Sequence, residues 1–246
     1  MQYVRGVSRT IEVLLGPPWP ADAVRGMHVA VVDVLRATTT IATALANGAA
    51  GVIAVAEPED AIALGNRLGR DRVLLGGERH SLPIEGFDLD NSPASFTAAA
   101  LAGKTVLLTT TNGTRALRAV TNAASVRTAA LVNRTAVADA LAHEDGDLLI
   151  VCAGEANGFA LEDALGAGAL VDTLLTLIGD VELCDGARAA ALLYRAVADR
   201  LPDAIASADH AQALAQKGFA RDVTRCAALD TLTVVPLLRD NILVAG

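Results

Sequence analysis

The 246-residue sequence has few aromatic residues, few cysteines and no long hydrophobic run. With aromatic residues at 3% and hydrophobic residues at 52%, its core must be built mainly from Ala, Val, Leu and Ile. The three cysteines lack any CxxC spacing, so neither a disulfide framework nor a structural zinc site is expected. Because no run reaches membrane-spanning length and no signal-peptide pattern opens the chain, we expect a soluble, cytoplasmic protein.

The sequence is also short of positive charge. It has 20 Lys and Arg against 28 Asp and Glu, which gives a formal net charge of −8. Nucleic acids and membrane surfaces are bound by basic faces, so neither is expected as a partner. The length fits a single domain over residues 1–246, large enough to bury its core without disulfides. A homodimer is left open.

Short apolar runs alternate with longer helical patterns along the chain. This alternation favours an α/β fold with a largely parallel mixed sheet covered by helices. Strands are predicted at residues 11–15, 29–34, 51–55, 72–75, 105–109, 125–132, 148–152 and 231–235. Helices are predicted at residues 38–47, 58–68, 93–101, 113–122, 135–142, 161–178, 186–200 and 206–216.

Two of the apolar runs end in threonine triplets with an arginine close by. We call residues 33–40, within "VVDVLRATTTIATAL", the first threonine corner, and residues 109–115, within "LLTTTNGTRAL", the second. The corners contain, in order, Asp33, Arg36, Thr38, Thr39 and Thr40, and then Thr109, Thr110, Thr111, Asn112, Gly113, Thr114 and Arg115. Each corner follows a predicted strand and opens a predicted helix, which places backbone N–H groups at the sheet edge where anions bind.

Finishing strands and capping helices is the commoner role for any single threonine of these corners. Two such corners, each with an arginine, instead favour one anion site. In that site Arg36 and Arg115 grip the anion through paired N–H bonds, and Gly113 lets the backbone approach closely.

A long loop, "GGERHSLPIEGFDLDNSP" at residues 76–93, carries several carboxylates. They are Glu78, Glu85, Asp88 and Asp90, with Arg79 among them. A solvated acidic loop is the ordinary alternative. Since the loop follows a strand of the same predicted sheet edge, we expect it to fold over the threonine corners, where carboxylates beside an anion favour Mg²⁺.

A third segment, "IVCAGEANGFALED" at residues 150–163, ends a strand and opens a helix with Glu162 and Asp163. Acidic residues in a first helical turn commonly just complement the helix dipole. Cys152 is expected to be a small buried residue, not a nucleophile. The four histidines have no triad or zinc spacing and are expected to be structural or on the surface.

With these motifs in order along the chain, the sequence resembles the 2-phosphosulfolactate phosphatase family. The resemblance runs from residue 31 to residue 236 and is carried by "VVDVLRATTTIATALANGA", "GERHSLPIEGFDLDNSP", "TTTNGTRAL", "VCAG", "LEDALGAG", "DVTRC" and "VVP". It implies a three-layer α/β/α fold and a Mg²⁺-dependent phosphatase. The family reaction converts 2-phospho-3-sulfolactate to sulfolactate and phosphate, a step of coenzyme M biosynthesis.

The resemblance and the residues together give each candidate a role. Asp33 is expected to be the nucleophile or a Mg²⁺ ligand, and the further candidate ligands are Glu78, Asp88, Glu162 and Asp163. The threonine corners are expected to bind a small anionic phosphorylated substrate, with Arg36 and Arg115 on the phosphate and Arg79 on its distal acid group. Whether Asp33 or a metal-activated water attacks phosphorus stays open.

The chain departs from the family pattern at positions that are expected to line the pocket. His80 and Ser81 stand where glycines are usual, Asp90 where glycine is usual, Ala160 where serine is usual, and Gly166 where cysteine is common. These changes bear on the substrate more than on the reaction class. A phosphatase for another small phosphorylated acid, and a non-catalytic module that binds a phosphorylated metabolite, are the alternatives.

Overall fold

The computed structural model describes residues 9–19, 24–156 and 158–246. Its strands are β1 (Arg9–Leu14), β2 (His28–Val32), β3 (Gly51–Ala54), β4 (Val73–Arg79), β5 (Leu82–Pro83), β6 (Thr105–Thr109), β7 (Ser125–Ala129), β8 (Leu148–Cys152), β9 (Val181–Leu183), β10 (Pro236–Arg239) and β11 (Ile242–Ala245). Its α-helices are α1 (Ala37–Ala46), α2 (Pro58–Leu68), α3 (Ala98–Leu101), α4 (Gly113–Ala119), α5 (Arg134–Ala142), α6 (Leu161–Leu177), α7 (Asp185–Arg195), α8 (Leu201–Ala206), α9 (Asp209–Leu214) and α10 (Ala220–Cys226).

All of these strands form one mixed sheet in the order β5-β4-β6-β3-β11-β10-β7-β2-β8-β1-β9. Strands β4, β6 and β3 are parallel to one another, and so are β7, β2, β8, β1 and β9. The β10–β11 hairpin lies between these two groups and pairs antiparallel with β7 and with β3. Three successive antiparallel pairings therefore make the two parallel groups run in opposite directions.

The alternation of side chains along each strand divides the core between the two faces of the sheet. On one face, Val31 of β2 and Val106 of β6 pack with α1 and α4 in a shared apolar cluster. On the other face, Val32 packs with α5, α6 and α7, whereas Leu107 packs with α2. Helices thus cover both faces, and the predicted α/β fold with a largely parallel mixed sheet is confirmed.

The last predicted strand, at residues 231–235, is wrong. The chain there has no regular structure and leads into the β10–β11 hairpin, whose turn residues Asp240 and Asn241 have φ angles of 49° and 65°. Asp and Asn are among the non-glycine residues that tolerate this left-handed conformation best, so "RDNI" is a hairpin signal that the strand prediction overlooked.

Other element boundaries also differ from the prediction. The predicted helix at residues 93–101 is split into a 3₁₀ turn, Pro93–Ser95, and the short α3, because Ser92 and Thr97 each cap a separate start. Helices α8 and α10 and strand β9 are additional elements. None of the helices in the described ranges is both long and apolar enough to cross a membrane.

Candidate active site

Asp33 follows β2 directly and is 6% exposed. Its Oδ1 accepts a hydrogen bond of 3.1 Å from the N–H of Ala37 at the start of α1. Its backbone is fixed by Thr38, whose hydroxyl donates to the Asp33 carbonyl at 2.7 Å and accepts from the Asp33 N–H at 3.1 Å. The first corner therefore holds this carboxylate in one position.

Each hydroxyl of the threonine triplet in the first corner donates a hydrogen bond to a backbone carbonyl. The hydroxyl of Thr39 donates to the carbonyl of Val34, and that of Thr40 donates to the carbonyl of Asn91, both at 2.9 Å. Thr38, Thr39 and Thr40 are buried and hold the corner against the long loop. The substrate contacts predicted for them stay a prediction.

The second corner meets the first at Gly113, the first residue of α4. A Cβ atom on Gly113 would lie 2.5 Å from Asp33 Oδ2 and 2.6 Å from the Cβ of Ala37, so only glycine permits this approach. The two corners are thus in contact, which the predicted single site requires. The expected arrangement, with both corners at the same edge of a largely parallel sheet, does not explain this contact, because β2 and β6 belong to groups that run in opposite directions. The corners meet through the starts of α1 and α4.

Within the second corner, internal bonds again hold the backbone. Thr110 Oγ1 accepts from the N–H of Thr114, at 3.2 Å, and the Thr114 hydroxyl donates to the Thr110 carbonyl, at 2.8 Å. Asn112 donates to Glu155 Oε2 at 2.6 Å. The hydroxyl of Thr109 is buried without a hydrogen-bond partner in the described structure.

The long loop contributes Glu78, which is 7% exposed. Its Oε1 accepts from the Thr111 N–H at 2.7 Å, and its Oε2 accepts from the Ser81 N–H at 2.6 Å. Glu78 therefore ties the loop to the second corner, as the predicted closing of the loop over the site requires.

His80 and Ser81 form the two-residue turn between β4 and β5. Their φ angles are 52° and 67°, in the left-handed region that favours glycine. This conformation gives a physical reason for the glycines that are usual here in the family the sequence resembles. The turn is held from outside by Lys217 Nζ, which donates to the His80 carbonyl at 2.7 Å.

Arg36 is buried at 3% exposure and holds the far side of the site. Its guanidinium donates to Asp222 Oδ2 at 2.8 Å and to the carbonyl of Ser81 at 3.2 Å. The same group lies 4.2 Å from the centre of the Phe219 ring. Both Asp222 of α10 and this ring lie in the C-terminal part of the chain, which sequence reasoning did not connect to the site.

Three other predicted site residues do not line the cavity that this site encloses. Arg115 is exposed on α4, and Arg79 donates to the carbonyls of Glu78 and Ala56. Asp88 pairs with Arg70 at 2.8 Å. None of Arg115, Arg79 and Asp88 lines the cavity described below.

Glu162 and Asp163, at the start of α6, are both 2% exposed. Asp163 accepts from the N–H groups of Val34 at 2.8 Å and of Gly154 at 2.9 Å, and so joins two loops. Glu162 lies 3.1 Å from Nδ1 of His210, on α9. His210, expected to be structural or on the surface, is in fact part of the site.

These segments enclose a small polar cavity of about 50 Å³, which is room for an ion with one or two waters. Among its lining residues are Asp33, Arg36, Glu78, Asn91, Glu155 and His210. Thr110, Thr111 and Asn112 of the second corner line it as well. It thus joins the two corners, the long loop and α9, and has both acidic and basic groups on its wall.

A larger cavity of about 630 Å³ lies elsewhere, between α2, α4 and the β10–β11 hairpin. Its wall mixes aliphatic residues such as Leu64 and Leu117 with the charged Asp60, Arg67 and Arg118. It contains none of the predicted catalytic or metal-binding residues. The chemistry predicted from the threonine corners is therefore placed in the smaller cavity.

Burial dominates the electrostatics of the smaller cavity. It raises the pKa of Asp33 to about 7, with the charges of Glu78 and Glu162 acting in the same direction and the Ala37 N–H and His210 opposing. Burial and the charges of Asp33 and Glu162 also raise the pKa of Asp163 well above its usual range. Both carboxyl groups therefore hold their protons more tightly in the folded chain than they would in water.

The pKa values of His210 and Cys152 are also raised, for different reasons. Burial alone would lower the pKa of His210, but the hydrogen bond to Glu162 and the charges of Glu155 and Asp33 raise it. Burial raises the pKa of the Cys152 thiol well above its usual range, which agrees with a buried, unreactive residue. No group of three His, Cys, Asp or Glu side chains within the described ranges is arranged to hold a metal ion.

Known proteins resemble this chain over most of its length. The model of the 2-phosphosulpholactate phosphatase family matches residues 19–241. A protein of Caldanaerobacter subterraneus subsp. tengcongensis, named probable 2-phosphosulfolactate phosphatase, is 42% identical over 215 residues, 87% of this chain and 89% of its own. Proteins with the same name from Symbiobacterium thermophilum and Thermotoga petrophila are 41% identical over 222 residues (90% and 95%) and 37% identical over 234 residues (95% and 97%).

The raised pKa of Asp33 predicts a dependence of stability on pH. Because the folded chain keeps this proton up to about pH 7 whereas the unfolded chain loses it near 3.8, stability from this group is complete below 3.8 and is lost as pH rises through 7. In metal-free buffer, we expect wild type to lose roughly 3 kcal/mol more unfolding free energy than Asp33→Asn between about pH 5 and pH 8. Urea unfolding at several pH values measures this, and parallel curves for the two proteins would contradict it.

Proposed function

The chain belongs to the 2-phosphosulpholactate phosphatase family, and we propose that it hydrolyses 2-phospho-3-sulfolactate to 3-sulfolactate and phosphate. Its family makes it a hydrolase of phosphoric monoesters. The observation that carries the proposal is the cavity in which Asp33, Glu78 and Arg36 meet the second threonine corner. Carboxylates, a guanidinium and backbone N–H groups at one helix start are the groups that phosphoryl transfer needs.

We further propose that Mg²⁺ is the cofactor. The donor set fits a Mg²⁺ ion, because this ion binds through one or two carboxylates, retains several waters and takes further oxygens from substrate phosphate. Asp33 and Glu78 offer two carboxylates on the wall of one cavity, beside the second threonine corner. When bound, Mg²⁺ supplies positive charge beside the oxygens of the transferring phosphoryl group.

The residues of the chain define the remaining steps. An oxygen nucleophile forms a bond to phosphorus while the bond from phosphorus to the C2 oxygen of sulfolactate breaks, and that oxygen takes up a proton from water. The nucleophile is the Asp33 carboxylate, held by the Ala37 N–H, or a water molecule beside it. In the first case water then hydrolyses the phosphoryl-aspartate, which releases phosphate and restores Asp33. Trapping a phosphoryl-aspartate selects the first route, and inversion of configuration at a chiral phosphorus selects the second, because two successive displacements would retain it.

The cavity itself has room only for the reacting centre. Its volume of about 50 Å³ leaves no room for the carboxylate and sulfonate of the substrate, which would lie outside it; the exposed His80 and the half-buried Ser81 are among its lining residues. The enzyme would work in the cytoplasm, in coenzyme M biosynthesis. Because His80 and Ser81 line the cavity at positions where the family pattern has glycines, a phosphatase for another small phosphorylated acid is the second candidate.

Turnover of 2-phosphosulfolactate with Mg²⁺ tests the proposed function. We expect wild type to release phosphate, EDTA to abolish release, and Asp33→Asn to lower kcat on the order of 10³-fold. Asp88→Asn is the matched control, because Asp88 is a carboxylate paired with Arg70 away from the cavity and should retain near-wild-type kcat.

Three outcomes of this assay would contradict the proposal. Faster turnover of other phosphoacids in a panel would show that the substrate is a different phosphorylated acid. Binding of phosphoacids without any turnover would show that the protein is a non-catalytic binding module. Full activity in EDTA would reject Mg²⁺.

The two predicted phosphate-binding arginines give a second test. Arg36 lines the cavity and its planar guanidinium contacts Asp222, Ser81 and the Phe219 ring at once. Arg36→Lys retains the charge but loses this geometry, so we expect kcat/KM to fall on the order of 10²-fold or more.

The matched exchange Arg115→Lys changes an exposed residue that does not line the cavity. We expect kcat/KM to change by less than about threefold, since each tenfold needs 1.4 kcal/mol of transition-state contact. Steady-state kinetics measures both variants. A loss at Arg115 as large as at Arg36 would restore the symmetric phosphate clamp expected from the sequence.

A further inference from the structure

Asn91, at the end of the long loop, has a buried side-chain oxygen without a partner. The residue is 3% exposed and lines the cavity, and its Oδ1 finds no hydrogen-bond donor in the described structure. Buried polar atoms almost always have a partner, so each exception requires a physical reason. A ligand that binds in the cavity is such a reason.

Hydrogen bonds of Asn91 and of the next residue, Ser92, fix the position of the Asn91 backbone. Its carbonyl accepts from the Thr40 hydroxyl at 2.9 Å. The Ser92 hydroxyl donates to Asp222 Oδ1 at 2.7 Å, and the other oxygen of Asp222 holds Arg36. The amide is therefore presented by a rigid backbone, as a preorganised ligand is.

Two side-chain donors on the cavity wall are engaged by other acceptors: Arg36 donates to Asp222 and to the Ser81 carbonyl, and His210 Nδ1 lies against Glu162. Asp33 and Glu78 line the same cavity with carboxylates. The N–H and the hydroxyl of Thr111, which could have served as donors, both bind Glu78. An unpartnered oxygen beside two carboxylates is suited to a hard cation, since Mg²⁺ and Ca²⁺ take oxygen ligands.

We propose that Asn91 Oδ1 is a neutral oxygen ligand of the divalent cation held by Asp33 and Glu78. This inference rests on the Mg²⁺ of the proposed function and adds a ligand to it. The Asn91 side chain does not cap the 3₁₀ turn Pro93–Ser95, because the Ser92 hydroxyl does so by accepting from the Ala94 N–H at 3.3 Å. The side-chain oxygen of Asn91 is therefore free to bind a ligand in the cavity.

Cation binding without substrate tests this inference. We expect wild type to bind Mg²⁺ in calorimetry, and Mn²⁺ in electron paramagnetic resonance, at one site per chain. Asn91→Leu should bind at least about tenfold more weakly, in line with the loss on removing groups that support a metal site. In EDTA the same variant should unfold at a temperature equal to or above that of wild type, because it removes a buried acceptor that has no partner.

Asn133 provides a matched control, since it is buried and has both sides of its amide bonded. Its Oδ1 accepts from the Ala130 N–H at 2.9 Å, and its Nδ2 donates to the Val234 carbonyl at 3.0 Å. Asn133→Leu should lower the unfolding temperature in EDTA and leave Mn²⁺ affinity of the folded protein unchanged. Asn91→Asp, which retains the oxygen and adds charge, should bind Mn²⁺ more tightly than wild type.

Several results would overturn the inference. Wild-type affinity in Asn91→Leu, with Mg²⁺-dependent turnover by wild type, rejects the ligand role alone and leaves the proposed function intact. A fall in unfolding temperature in EDTA as large as that of Asn133→Leu makes Asn91 a structural amide. Absence of cation binding by wild type removes the ligand role together with the cofactor.

Discussion

The close approach of Asp33 to the backbone of Gly113 is the constraint on which the site depends. The two residues belong to corners that follow strands of opposite direction, and a single Cβ at position 113 would come within 2.5 Å of the carboxylate. Because the contact exists, the start of α4, the loop held by Glu78 and the start of α1 surround one cavity. Without it, the corners would be two separate helix starts.

That approach creates an electrostatic problem as well as a cavity. Asp33, Asp163 and Glu162 are buried within range of one another's charges, and burial raises the pKa of the first two. Arg36 does not offset this charge in full, because it is paired with Asp222. In the proposed phosphatase, a Mg²⁺ ion held by Asp33 and Glu78 would add positive charge to this acidic cavity and so favour an anionic phosphate there.

Motif order predicted the parts of the site that lie where strands end, namely Asp33, Glu78 and the second corner. It failed where tertiary contacts decide. Asn91 lies on the long loop and His210 on α9, and both line the cavity. No local spacing of residues in the sequence predicts that these two side chains meet there. The exposed position of Arg115, in contrast, could have been predicted from the sequence. The apolar Ala116 and Leu117 that follow it in α4 are buried, so Arg115 lies on the side of the helix that faces solvent.

A crystal structure of the protein grown with Mn²⁺, with anomalous scattering measured at the manganese edge, would locate the cation. We expect one strong anomalous peak in the small cavity, in contact with oxygens of Asp33, Glu78 and Asn91. A peak at Asp88 in place of this one, or no peak in the cavity, would contradict this expectation.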